Sequence, residues 1–394
     1  MTANVLTDVN RPYVPRGGTT VTAEIEVEPG RQERPPTRQI ALCLDASGSM
    51  AGELIEQARE GAEWIFGLLE PTDYLSIVAF DNEVETVLEA TRWGTIGRRE
   101  AVDLVTEISA GGGTDMYSGL LEANASLDGL PSDEDTVRRI LLLSDGKDNR
   151  KDADDFAELA REIDREGIRI EAAGIGTEYR EATIRTLGTA ARGEWTHLAR
   201  PGDIETFFGE AVEDAGSVVA PDAELELVVD NGVDINEVYR AIPQAQTVDP
   251  EWERNQATIR LPDLLDRETQ CVVLKLRVPE RATTGPVVLA DVTLTASGET
   301  AGGEITVEYT DDTELLAEHV ETVDIDHRQT VIRTELGRGN VAEAQTEIEK
   351  MTEIHGDGTE AVEAAKRQTR IVSEGGRAEQ SEATRVVTDE GVQE

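Results

Sequence analysis

Apolar and polar positions alternate most cleanly over residues 19–28 (TTVTAEIEVE). Val21, Ala23, Ile25 and Val27 fall on one side, and Thr22, Glu24, Glu26 and Glu28 on the other. A period of two predicts a half-buried antiparallel strand, with a shorter one before it at Val5–Val9. Gly30-Arg-Gln-Glu-Arg-Pro-Pro36 reads as a linker. From residue 38 the pattern changes. RQIALCLD (38–45) is a continuous apolar run, as expected of a parallel strand covered on both faces. Residues 51–69 take helical spacing through Leu54, Ile55, Ala58, Ala62, Ile65 and Leu69. DYLSIVAF (73–80) predicts a strand and VETVLEAT (84–91) its antiparallel edge partner. Helices follow near 97–108 and 116–128, separated by the loop Ala110-Gly-Gly-Gly-Thr-Asp115. Strands at 137–145, 168–176 and 193–199 then alternate with helices at 153–166, 180–190 and 203–215. Strand–helix alternation predicts an α/β domain over residues 37–217, with a doubly wound, mostly parallel sheet.

Past Pro221 the chain becomes strand-rich, through AELELVVD, QATIRLP, TQCVVLKLRV, PVVLADVTLTA and GEITVEYT. Regularly spaced amphipathic strands predict a β-sandwich over 218–310. The strand at 19–28 has an apolar face and no neighbour in the α/β domain. It is therefore expected to pair with the sandwich, so that residues 1–36 supply its first strands and linker and the α/β domain is an insertion. Residues 311–375 return to helical spacing, broken at Gly-Arg-Gly-Asn (337–340) and His-Gly-Asp-Gly (355–358), and predict two or three helices. The polar, acidic tail at 376–394 is expected to be disordered.

Charge changes the picture. The 394 residues hold 81 Asp+Glu against 37 Lys+Arg, a formal net charge of -44, and only five of the basic residues are Lys. The acids are spread along the chain. In dilute buffer such a surface repels itself, whereas at molar salt the Debye length falls to about 3 Å and screens it. The composition predicts a cytoplasmic protein of a high-salt cell. No basic stripe offsets phosphate repulsion, which argues against a nucleic-acid partner. There is no signal-peptide pattern at the N-terminus and no apolar run of spanning length, so no membrane span is expected. Cys43 and Cys271 lie in apolar strands and read as buried small hydrophobes rather than a disulfide. Trp64, Trp93, Trp195 and Trp252 read as core. The four histidines, at 197, 319, 327 and 355, show no metal spacing.

Candidate chemistry concentrates at one rim. Asp45-Ala-Ser47-Gly-Ser49 falls where the first buried strand meets its helix, and ligands of doubly wound sheets bind at the carboxyl ends of strands. Thr114, in the glycine loop, and Asp145, at the end of ILLLSD, reach the same rim. Two carboxylates and three hydroxyls form an all-oxygen set suited to a hard divalent cation. Capping of helices 51–69 and 153–166 by Asp45, Ser47 and Asp145 is the simpler reading, but it leaves Thr114 and the glycines before it without a role. Asp115, Asp148 and Asn149 neighbour the site; tuning of the site is one reading of them, and a solvated loop is the better one.

On Asp45, Ser47, Ser49, Thr114 and Asp145, residues 38–215 resemble the von Willebrand factor A and integrin I domains, whose Rossmann-like fold carries a metal ion-dependent adhesion site. The sequence departs from that motif at none of the five positions. The resemblance implies that Ser47, Ser49 and Thr114 contact the metal, while Asp45 and Asp145 do so directly or through water. An acidic residue of a partner protein would fill the remaining position. Mg²⁺ or Mn²⁺ fits five groups better than Ca²⁺, which takes six to eight oxygens. The whole chain also resembles bacterial and archaeal proteins with an inserted A domain, and a haloarchaeal source fits the charge. A looser similarity runs to inter-alpha-trypsin inhibitor heavy chains. These likenesses imply a non-enzymatic, metal-dependent protein-interaction module. The alternatives are an adaptor of an AAA+ ATPase of the chelatase type, or a metal-dependent phosphohydrolase using Asp45. The latter lacks a second Asp two residues on, where Ser47 stands, and lacks an evident general base.

Overall fold

The computed structural model describes all residues except 1–2, 32–33, 134, 146–147, 149, 176–179, 199, 201, 267, 376–382 and 385–394. The chain divides into two compact units, one of residues 32–221 and one combining residues 1–31 with 222–394. The C-terminal helices fall in the second unit.

The first unit is an α/β domain. Its six strands are β1 (Thr37–Asp45), β2 (Tyr74–Phe80), β3 (Val84–Arg92), β4 (Thr136–Ser144), β5 (Ile168–Ile175) and β6 (Trp195–Leu198). Between them run α1 (Glu53–Ile65), α2 (Arg98–Glu107), α3 (Met116–Ser126), α4 (Ala153–Arg165) and α5 (Glu181–Ala190), and α6 (Asp203–Ser217) closes the unit. The strand order is β3-β2-β1-β4-β5-β6, with β3 antiparallel at the edge and the rest parallel. Connectivity leaves β1 in one direction to β2 and later returns to its other side at β4. The switch point therefore lies between the carboxyl ends of β1 and β4, where open α/β sheets bind ligands.

The apolar run of β1 is explained by what covers it. Ile40, Leu42 and Leu44 pack with residues of α1, α2 and α6. Ala41 and Cys43 pack with residues of α3, α4 and α5 on the opposite face. All five are at most 1% exposed. With both faces buried, alternation disappears from the sequence. At the other end of β1, Arg38 and Asp73 form a buried pair, with Nε and Nη2 of Arg38 2.9 and 2.5 Å from Oδ2 of Asp73. Arg38 also donates to the carbonyls of Leu68 and Val212, tying the starts of β1 and β2 to α6. Helix 51–69 proves shorter than expected. A 3-10 turn at Gly48–Met50 precedes it and the chain leaves helix after Ile65, yet Phe66 and Leu69 still bury in the core.

The second unit holds two sheets. In one, Thr19–Glu28 lies between Asn4–Val9 and Gln270–Val278, antiparallel to both. Asp234–Ile242, which the sequence pattern did not predict, pairs with the other side of Gln270–Val278. In the second sheet, Glu224–Val229 lies between Gln256–Arg260 and Gly285–Ala296, and Glu299–Thr310 pairs with the latter. Three helices follow: α7 (Glu321–Gly337), α8 (Val341–His355) and α9 (Glu360–Glu374). His327 of α7 packs edge-on against Tyr239 and stands 3.6 Å from Glu237, both on the unpredicted strand. His355 bonds the Asp324 carboxylate at 2.9 Å. The expected disordered tail lies outside the described residues, apart from Ala383 and Thr384. Both are buried, and the Thr384 carbonyl accepts from the Ala245 amide at 2.7 Å. Cys43 and Cys271 are free and buried. The tryptophans divide: Trp93 and Trp195 are core, whereas Trp64 and Trp252 are half exposed because each lies at the margin of its unit's core. No described helix is long and apolar enough to cross a membrane.

Candidate metal centre

Asp45 ends β1 in full burial. Its Oδ1 accepts the Ser47 amide at 2.8 Å, which turns the chain back over the strand end. Its Oδ2 accepts the Ser144 hydroxyl, the last residue of neighbouring β4, at 2.6 Å. Leu44 pairs with Leu143 across the two strands, so Asp45 and Asp145 emerge on adjacent strand ends. Burial pushes the Asp45 carboxyl above the ordinary carboxylate range and the charge of Asp145 adds to this, while the bonds from Ser144 and Ser47 oppose it. Two buried carboxylates side by side are costly unless a cation joins them.

The hydroxyls come from two loops that are stitched together. The Ser47 and Ser49 oxygens lie 3.0 Å apart. Between them, the Gly48 amide donates to the Gly112 carbonyl at 3.2 Å, and the Gly111 amide to the Ala46 carbonyl at 2.8 Å. Those bonds bring the glycine loop at 110–115, with Thr114, against the loop after β1. Gly112 has φ +63°, which favours glycine, and a Cβ there would stand 2.5 Å from Oδ2 of Asp81 and oblige that side chain to shift. Thr114 is 6% exposed; its hydroxyl, which is not among the fully buried unsatisfied atoms, takes part in no hydrogen bond with the described residues.

These features fit a divalent ion. Neighbouring oxygens of an octahedral magnesium shell, each about 2.0–2.1 Å from the ion, lie about 3 Å apart, which is the Ser47–Ser49 spacing. The Thr114 hydroxyl makes no hydrogen bond among the described residues and is available to such an ion. Among the described residues, no group of three or more His, Cys, Asp or Glu is placed to hold a metal, so any such centre depends on these hydroxyls. Helix capping does not account for the five residues. The N-caps of α1, α3 and α4 are Gly52, Asp115 and Asp152.

Asp115 and Asp148, expected in a solvated loop, are instead buried at 5% and 1%. Asp115 caps α3 by accepting the Ser118 amide at 3.2 Å and pairs with Arg150. Asp148 accepts the amides of Arg150, Lys151 and Tyr117. Asn149 lies outside the described residues. The capping role of Asp115 was readable from its place before an apolar helix; the contacts of Asp148 left no sequence signal.

Comparison with known proteins agrees with this architecture. Residues 39–210 match the von Willebrand factor type A domain profile. An uncharacterized protein of Synechocystis sp. is 24% identical over 249 residues, 60% of this chain and 56% of the relative. Inter alpha-trypsin inhibitor heavy chain 4 of Mus musculus is 32% identical over 120 residues, 28% of this chain and 12% of that one. The chain thus spans about half the length of the first relative and far less of the second. Among solved structures, a von Willebrand factor type A protein from Catenulispora acidiphila superimposes with a TM-score of 0.80 at 17% identity, covering 98% of this chain and 97% of that one. The ArnB paralog VWA2 from Sulfolobus acidocaldarius gives 0.64 at 18% identity with the same coverage. Strand order and profile match converge: residues 39–210 of this chain form a von Willebrand factor type A domain.

Proposed function

We propose that the rim formed by Asp45, Ser47, Ser49, Thr114 and Asp145 binds Mg²⁺ or Mn²⁺ and captures a protein partner through one of its Asp or Glu carboxylates, without catalytic turnover. The observation that carries this reading is the convergence on one rim of Asp45, the hydrogen-bonded Ser47–Ser49 hydroxyl pair and the glycine loop that brings up Thr114, whose hydroxyl makes no hydrogen bond among the described residues. When bound, the ion supplies a Lewis-acidic position open to an outside oxygen. The protein's groups leave that position available because three of the five are neutral hydroxyls, so the ion's charge is at most balanced by the two carboxylates. Asp45 is suited to orienting the Ser47 loop rather than to nucleophilic attack. Both its oxygens already accept hydrogen bonds and it is fully buried. That argues against phosphoryl transfer through Asp45. A metal bridge also lets a chain of net charge -44 hold an acidic partner at contact.

The test is capture from the source organism's lysate in molar KCl, comparing Mg²⁺ with EDTA and wild type with Thr114→Ala. The expected result is a protein retained only by wild type with Mg²⁺. Equal recovery in all four lanes would refute the reading.

A further inference from the structure

Thr114 and Asp145 reach the rim on different loops, and a metal site of fixed size needs their separation held. Two contacts made by groups outside the candidate ligand set cross that gap in opposite directions. From the β4–α4 loop, the Arg150 guanidinium pairs through Nη1 with Asp115, the residue after Thr114. Its Nη2 reaches the Asn82 carbonyl at 3.5 Å. From α3, the Tyr117 amide donates to Oδ2 of Asp148 at 3.3 Å. Oδ1 of Asp148 is held by the amides of Arg150 and Lys151 at 2.6 and 2.9 Å. The Asp115 amide is itself fixed on the Asp81 carbonyl at 2.7 Å. Lys151 adds a cation–π contact, 4.6 Å from the centroid of the Tyr117 ring.

We propose that Arg150 is a positioning residue of the metal centre: its pair with Asp115, beside the reciprocal Asp148–Tyr117 bond, latches the two loops so that Thr114 and Asp145 stay at ligand spacing. The inference rests on the metal-binding reading above. Among the described residues Arg150 makes no hydrogen bond or ion pair with the five ligand candidates; its side chain is 57% exposed and that of Asp115 8%, and Asp115 keeps the Ser118 amide when the pair is lost. The effect of Arg150 belongs in metal affinity, where loss of a group that orients ligands typically costs ten- to a hundredfold. The sign separates this role from simple electrostatics. Removing a cation beside a cluster of carboxylates should tighten binding of Mg²⁺ by Coulomb's law; loosening the latch should weaken it.

The experiment is calorimetric titration of the full chain with MgCl₂ in 1 M KCl, which screens diffuse binding to the acidic surface. Thr114→Ala serves as the site-defective reference. Wild type should bind where Thr114→Ala does not, and Arg150→Gln, titrated well below its own melting temperature, should bind at least fivefold more weakly. Arg150→Lys should recover part of the loss, since it restores the charge but not the fork. Asp115→Asn keeps a good N-cap, and combining it with Arg150→Gln should cost no more than the worse single change. If wild type binds and Arg150→Gln falls less than fivefold or tightens, the latch is wrong and the metal reading stands. If wild type and Thr114→Ala titrate alike, the metal reading fails and the latch falls with it.

Discussion

Replacing Asp73 with alanine removes the acceptor of four hydrogen bonds at the base of the α/β sheet. Its carboxylate holds the Arg38 amide at 3.0 Å, the Arg38 guanidinium through Nε and Nη2, and the Glu70 amide at 2.7 Å. Arg38 is 7% exposed and Asp73 is 1% exposed. In Asp73→Ala the guanidinium stays buried with only the Leu68 and Val212 carbonyls, two neutral acceptors for a full charge. Breaking a buried pair from one side typically costs about 3–5 kcal/mol, because the cost is that of the charge left behind. For a domain of this size that lowers Tm by roughly 2–4 °C per kcal/mol, or about 6–20 °C in all. Chemical denaturation followed by tryptophan fluorescence suits the measurement, since Trp64, Trp93 and Trp195 all lie in the α/β unit. The double change Arg38→Met, Asp73→Leu removes the stranded charge but leaves the Arg38 and Glu70 amides without their acceptor, so it should recover only part of the loss. Asp73→Ala within about 1 kcal/mol of wild type would refute the reasoning, as would a double variant worse than the single one.

Gly112→Ala places a Cβ 2.5 Å from the Asp81 carboxylate at φ +63°. It should cost about 1–2 kcal/mol from the left-handed backbone alone and also shift the loop carrying Thr114. A paired melt and Mg²⁺ titration would show stability and affinity falling together. In the second unit, Glu24 is held mainly by burial at a pKa of about 6, against the pull of the Cys271 thiol that donates to it at 3.0 Å. A raised carboxyl contributes stability that is present below its ordinary value and lost as pH rises through about 6. Glu24→Gln should therefore gain stability relative to wild type between pH 4.5 and 7, with the difference flat outside that window. A Tm difference independent of pH would contradict it.

Where a segment's environment follows from its own residues, the sequence could be read directly. The run at 38–45 announced a strand covered on both faces, and Asp45, Ser47 and Ser49 at its end announced a rim of hard oxygens. Asp234–Ile242 was hidden for a local reason. Register shifts between Ile235 and Glu237, and between Arg240 and Ile242, break the period of two. The overlong helix at 51–69 arose because Leu69, on the helical stripe, buries although the helix ends at Ile65.

Apolar periodicity, turn chemistry and net charge are properties of neighbours along the chain, so the sequence by itself determined the alternation of strands and helices, the doubly wound class, the five candidate ligands and the acidic surface. Pairing across large sequence separations is not such a property. Only the tertiary structure decided that Ser144 would hold Asp45, that Arg38 would meet Asp73, and that Asp115 and Asp148 would be buried as cross-braces instead of solvated. A carboxylate looks the same in sequence whether water or a distant amide satisfies it. Its surroundings, and with them its energy, are set only when the loops close.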